Sequence, residues 1–157
     1  MMLSIDRVFV DTGAFIALAS RIDRHHQKAV ALYKHLIESG ALLYTTNHIV
    51  DETCTWLLRD KNLGHRSALE FGNFIQSVST PVVFDKKIPS TANGKKMFLV
   101  YSASEVEQEA WKILAKYNDS GFTFTDCTSF ATMLALSLRK VFSFDSHFDV
   151  MGFERLR

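Results

Sequence analysis

The sequence predicts an α/β domain in which a central, mainly parallel sheet of four to five strands is flanked by helices. Three observations lead there. Short β-branched and aromatic runs alternate along the chain with stretches of helical periodicity, the pattern of strand–helix–strand units. Two of these runs end in an aspartate, Asp11 and Asp145. The 157 residues, 47% hydrophobic with 13 Phe, 4 Tyr and 2 Trp, suffice for one closed core and are far too apolar for a disordered chain. No linker or internal repeat divides them, so a single domain over 1–157 is expected.

The elements follow in order. Arg7-Val-Phe-Val10 reads as a buried strand ending at Asp11, and Thr12 to Ala19 as a short apolar helix. From Gln27 to Glu38, Ala29, Val30, Leu32, Tyr33, Leu36 and Ile37 line one helix face, and Ser39-Gly40 ends it. Ala41 to Tyr44 is a second strand, with Thr45-Thr46 offering caps for a helix to about Asp60. A helix over Asn62 to Ser77 and a strand over Pro81 to Phe84 come next, then a basic, polar loop or hairpin at 85–96. Met97 to Tyr101 returns to strand character. Ser104 with Glu107 spells a capping box for a helix halted by Asn118-Asp-Ser-Gly121. Thr125 then caps a helix through Arg139, and Val141 to Phe144 is the last expected strand.

Several classes fall away. Cys54 and Cys127 are the only cysteines, too few for a disulfide scaffold or a cysteine-based metal knot, and they read as small buried hydrophobes. The apolar runs are too short to cross a bilayer, and the opening MMLSIDRVFV has no basic-then-apolar leader. A cytoplasmic protein without membrane contact is expected. The 18 Lys+Arg and 17 Asp+Glu give a net charge of +1, which by itself does not announce nucleic acid. That total averages acids gathered in one place over basic residues elsewhere, including Lys86, Lys87, Lys95 and Lys96.

The acids carry the chemistry. Ligands of open α/β sheets bind outside the carboxyl ends of the strands, where Asp11 and Asp145 both stand. A single aspartate there would read as a helix cap; two at equivalent places read as a site. Asp126 lies in the first turn of a helix, where the dipole alone favours a carboxylate, yet the apolar Phe122-Thr-Phe-Thr125 run draws that turn towards the sheet. Ile49, Val50, Thr53, Trp56 and Leu57 define the buried stripe of their helix, placing Glu52 on its flank and Asp51 in solvent. Glu52 fits either a partly buried acid needing a cation or a flank residue with its head in water. Four converging carboxylates would repel one another without a divalent metal. Oxygen ligands favour Mg²⁺ or Mn²⁺, and such a site suits attack of water on phosphorus.

Val8-Phe-Val-Asp-Thr12, Thr45-Thr-Asn-His-Ile-Val-Asp-Glu52, Phe124-Thr-Asp126 with Ser129-Phe-Ala-Thr-Met133, and Phe142-Ser-Phe-Asp-Ser-His-Phe148 together resemble the ordered motifs of PIN domains, and among them the VapC-type toxin ribonucleases. The resemblance covers nearly the whole chain. It implies a PIN-like fold and a metal-dependent endoribonuclease that leaves a 5′-phosphate and a 3′-hydroxyl. It further implies a homodimer held inactive by a small antitoxin protein. Carried over, the acidic set is Asp11, Glu52, Asp126 and Asp145, which would hold Mg²⁺ or Mn²⁺. Thr12 and Ser143 match hydroxyls that orient carboxylates or water, and Asp149 matches a further acid of some members. The 85–96 loop is longer than in compact members. Its lysines Lys86, Lys87, Lys95 and Lys96 could grip an RNA backbone, or simply be solvated.

The six histidines form no metal set by spacing. His25-His26 read as a solvated helix start, while His48 and His147, near Glu52 and Asp145, read as surface residues. Two rival classes stand beside the nuclease. One is a catalytically silent PIN-fold module that binds RNA or protein. The other is a phosphohydrolase of haloacid-dehalogenase type with Asp11 as nucleophile, which needs a second aspartate where Gly13 stands.

Overall fold

A computed structural model describes residues 6–84 and 94–157. Among the described residues seven helices surround six strands: β1 (Arg7–Val10), α1 (Thr12–Ala19), α2 (His26–Glu38), β2 (Leu42–Thr46), α3 (Asn47–Arg59), α4 (Gly64–Val78), β3 (Ser79–Val83), β4 (Met97–Tyr101), α5 (Ser104–Lys116), α6 (Phe124–Ala135), β5 (Lys140–Phe142), α7 (His147–Val150) and β6 (Glu154–Leu156). The strands form one sheet in the order β3-β4-β2-β1-β5-β6, and every described pairing is parallel. The expected α/β class is therefore present, with one strand more than the sequence indicated. That strand, Glu-Arg-Leu, pairs with β5 but has no apolar run to betray it.

A hairpin that would pair β3 with β4 in antiparallel fashion is excluded. β3 and β4 run parallel, with Pro81 opposite Leu99, and parallel neighbours need a crossover connection. Residues 85–93, Lys86 and Lys87 among them, lie outside the described residues. Pro81 sits on an edge strand, where its missing N–H costs no ladder bond.

Helix ends also depart in detail from the expectations. Thr46 caps α3 by accepting the Ile49 N–H at 3.2 Å, and Gly40 takes a φ of 75° just beyond α2, as glycine can at little cost. The cap of α5 is Ala103 and not Ser104, without a side-chain bond. α6 is capped by Thr123 and not Thr125, and it stops at Ala135 rather than Arg139. The buried stripe of α3 holds Ile49, Thr53 and Leu57, but Trp56 is 41% exposed, its ring left on the open side of the helix.

Phenylalanine fills the core. Phe9, Phe15, Phe98, Phe130, Phe142 and Phe148 are all fully or almost fully buried. One run of rings anchors the carboxyl edge of the sheet: Phe122 meets Phe130 edge-on at 4.9 Å, and Phe130 meets Phe148 at 5.1 Å. This ties α6 to the short α7, so two segments distant in sequence are packed as one support.

Candidate active site

β1 lies between β2 and β5. The chain leaves β1 towards β2 and leaves β5 towards β6, so the order switches direction between β1 and β5. Crevices at such switch points are where open α/β sheets bind ligands. Asp11 follows β1 directly, and its N–H continues the ladder onto Phe142 O at 3.1 Å. Asp145 follows β5 by three residues.

Asp11 occupies the N-cap position of α1 but makes no side-chain capping bond, so the helix-cap reading of this residue fails. Its carboxylate, 6% exposed, accepts a hydrogen bond from Ser143 Oγ at 2.8 Å. Ser143 Oγ in turn accepts the Asp145 N–H at 3.0 Å. On the other flank, Thr12 Oγ1 donates to Glu52 Oε2 at 2.5 Å. The two hydroxyls thus each fix a carboxylate. Asp126 is the third residue of a capping box: its N–H donates to Thr123 Oγ1 at 3.1 Å and its Oδ2 accepts the Thr123 N–H at 2.9 Å. The dipole-cap role and a place in the acidic group are both real for this residue.

His147 completes the arrangement, against the expectation of a surface residue. Its N–H donates to Asp145 Oδ1 at 2.9 Å. Its Nδ1 lies 3.3 Å from Asp126 Oδ2 and 3.4 Å from Asp145 Oδ2. The ring edge rests on Phe122 at 5.2 Å. Asp126, Asp145 and His147 offer ligand atoms that all lie within 4.8 Å of one another. Asp11 and Glu52 stand outside that tight trio but in the same field.

Electrostatics record the crowding. Burial pushes the Asp11 carboxyl up to about 7, with the charges of Asp126 and Asp145 adding to it, against the lowering by Ser143 and Thr12. Burial likewise raises Glu52, opposed by Thr12 and reinforced by Asp126 and Asp145. Among the described residues no lysine or arginine forms an ion pair with any of these four acids. A buried carboxyl with acidic neighbours and no cationic side chain is the environment that a divalent cation relieves. All four acids offer hard oxygen donors suited to Mg²⁺ or Mn²⁺, so the donor set fits such an ion.

Other expected residues are placed elsewhere. Asp149 is held by Arg155 in a two-pronged ion pair at 2.6 and 2.9 Å, which lowers its carboxyl. Lys95 and Lys96 precede β4, at the sheet edge opposite Asp11 and Asp145. Lys95 Nζ donates to the Gln76 and Ser79 carbonyls, both at 3.1 Å, so the structure does not bring these two lysines to the acids. His48 pairs with Glu107 at 3.3 Å rather than with Glu52, and His25 stacks on Phe144 at 4.2 Å. Cys127 is buried, with burial and Asp126 pushing its thiol up to about 11, which makes it a poor nucleophile. Beside Glu52 a groove of about 530 Å³ is lined by Thr55, Trp56, Arg59 and Thr125, among others.

No family model matches the chain. Individual proteins do. It is 33% identical over 143 residues to a VapC ribonuclease of Archaeoglobus fulgidus, covering 90% of this chain and 78% of that protein. The chain belongs to the VapC ribonuclease family. It is also 27% identical over 150 residues to the 23S rRNA-specific endonuclease VapC20 of Mycobacterium tuberculosis, covering 96% and 98% of the two chains. The crystal structure of that VapC20, described as a sarcin–ricin loop cleaving toxin, superposes with a TM-score of 0.77 at 26% identity, again over 96% and 98%. The VapC-type PIN fold expected from the four motifs is thus present along nearly the whole chain. No helix among the described residues is long and apolar enough to cross a membrane.

Proposed function

We propose that the chain is a metal-dependent endoribonuclease acting as the toxin of a toxin–antitoxin pair. The observation that carries this is the acidic group at the β1–β5 switch point, which among the described residues forms no ion pair with a lysine or arginine, in a chain of the VapC family. Asp11, Asp126 and Asp145 would hold Mg²⁺ or Mn²⁺, with Glu52 as a further ligand or a water-positioning acid. When bound, such an ion activates water and neutralises charge on the phosphate and the leaving oxygen.

The chain's own residues supply geometry. Ser143 fixes Asp11 and the turn into Asp145 together. Thr12 aims Glu52, and the capping box holds Asp126. Each acid is therefore oriented before substrate arrives, which removes reorganisation from the reaction itself. Attack of water on phosphorus forms one P–O bond and breaks the bond to the 3′ oxygen, leaving a 5′-phosphate and a 3′-hydroxyl. Family membership supports a small antitoxin protein as inhibitor, and we extend the proposal to a homodimer. The groove beside Glu52, with Arg59 and Trp56 on its wall, offers the RNA a cation and an exposed ring.

The test is end-mapped cleavage. Total RNA and a 23S rRNA sarcin–ricin loop fragment, the element cut by the M. tuberculosis relative, are incubated with the purified chain and Mg²⁺ or Mn²⁺. Discrete scission with 5′-phosphate ends is expected. RNA left intact under both ions, or ends carrying a 2′,3′-cyclic phosphate, contradicts the proposal.

A further inference from the structure

His147 is the one residue of the acidic edge that the nuclease reading leaves without a task. Its main-chain N–H holds Asp145, and its side chain faces the carboxylates of Asp126 and Asp145. That side chain is supported by Phe122 at 5.2 Å and points Nδ1 into the gap between Asp126 Oδ2 and Asp145 Oδ2, at 3.3 and 3.4 Å. One N–H can aim at only one of those oxygens, and both separations exceed the roughly 2.7–2.9 Å of a charge-assisted hydrogen bond. Two ligands at right angles around a cation, each about 2.1 Å from it, stand about 3 Å apart. A nitrogen and two carboxylate oxygens at these spacings have the makings of one face of a coordination shell.

We propose that His147 Nδ1 is a nitrogen ligand of the cation shared by Asp126 and Asp145, and that the site for this reason selects Mn²⁺ over Mg²⁺. The inference rests on the metal-nuclease reading and sharpens it. The chemistry behind it is ligand hardness. Mg²⁺ keeps to oxygen and water, while an imidazole binds readily to divalent transition metals. The aromatic support matters because a ligand ring held in place loses little freedom on binding.

The experiment uses the full chain. Mn²⁺ and Mg²⁺ are titrated separately by calorimetry, and pulsed electron paramagnetic resonance of the Mn²⁺ form is examined for coupling to a ¹⁴N nucleus. Mn²⁺ should bind more tightly than Mg²⁺. The ¹⁴N coupling should be present in the wild type and absent in His147→Ala. That variant should lose about 10-fold or more in Mn²⁺ affinity while its Mg²⁺ affinity stays nearly constant. Mn²⁺ bound by the wild type without nitrogen coupling, or equal losses for both ions in His147→Ala, overturns the His147 assignment alone. A folded wild type that binds neither ion overturns the metal-nuclease reading and the assignment with it. The wild-type spectrum decides the matter even if the variant does not fold.

Discussion

Asp11→Asn should reduce RNA cleavage by about 10³-fold or more, the scale seen when a charge-stabilising group is removed from a catalytic centre, while leaving the fold intact. Asn keeps the shape and can still accept from Ser143 Oγ, which lies 2.8 Å from the carboxylate. It lacks the charge needed to hold a divalent ion. The same substitution carries a stability signature of opposite sign. In the metal-free chain the Asp11 carboxyl stands at about 7 rather than the ordinary 3.8, so the folded state binds its proton more tightly than the unfolded state does. Stability from this group is then fully present below pH ~4 and is lost as pH rises through about 7, at roughly 1.4 kcal/mol for each pH step of one. Melting curves in chelator should therefore show the wild type losing stability between pH 4 and 7 relative to Asp11→Asn. A variant that cleaves normally, or melts in parallel with the wild type across that range, is incompatible with the buried, uncompensated acid described above.

Phe148→Ala should cost about 3–5 kcal/mol, the usual penalty for emptying a phenylalanine site in a packed core. Phe148 is fully buried and edge-on to Phe130 at 5.1 Å. Against a total stability of about 5–15 kcal/mol for a domain, the melting temperature should fall by on the order of 10 °C. The loss should also reach the chemistry, because α7 carries His147 next to Phe148 and the Phe122–Phe130 contact braces α6 with Asp126. Urea denaturation of Phe148→Ala and of Phe148→Leu reads the effect; Leu refills most of the space and should recover more than half of it. Equal stability in the wild type and Phe148→Ala would show that the ring run does not brace the carboxyl edge.

Much of this site is legible in the sequence because its acids sit at element ends that the apolar pattern marks. Val8-Phe9-Val10 is a buried strand by composition alone, which fixes Asp11 at a sheet edge. The helical period places Glu52 at a core flank and Asp51 in solvent, and the structure finds them half-buried and exposed. What spacing cannot carry is the direction of strands and the path of turns. The link between β3 and β4 reads equally as a loop or a hairpin because nothing in Pro81 to Val83 reports whether the neighbouring strand runs parallel. In Phe-Thr-Phe-Thr the sequence reading puts the cap of α6 at Thr125, two residues late. Thr123 takes the role because the Asp126 carboxylate returns a bond to its N–H, a reciprocity that needs the acid three positions after the cap. His147 is hidden for a similar reason. Two residues beyond Asp145 implies nothing until a turn, closed by His147 N–H onto Asp145 Oδ1, swings the ring towards Asp126, 21 positions earlier. β6 escapes because an edge strand of Glu-Arg-Leu has one face in water and no alternation long enough to read.

If these acids work by holding a divalent cation on RNA, chelation must abolish the reaction. Single-turnover cleavage of an end-labelled RNA is followed in excess EDTA and then after back-titration with Mn²⁺ or Mg²⁺. Cleavage should disappear in EDTA and return with added ion in the wild type, and it should not return in Asp145→Asn. Cleavage that continues undiminished in EDTA would contradict a metal-dependent role for Asp11, Glu52, Asp126 and Asp145.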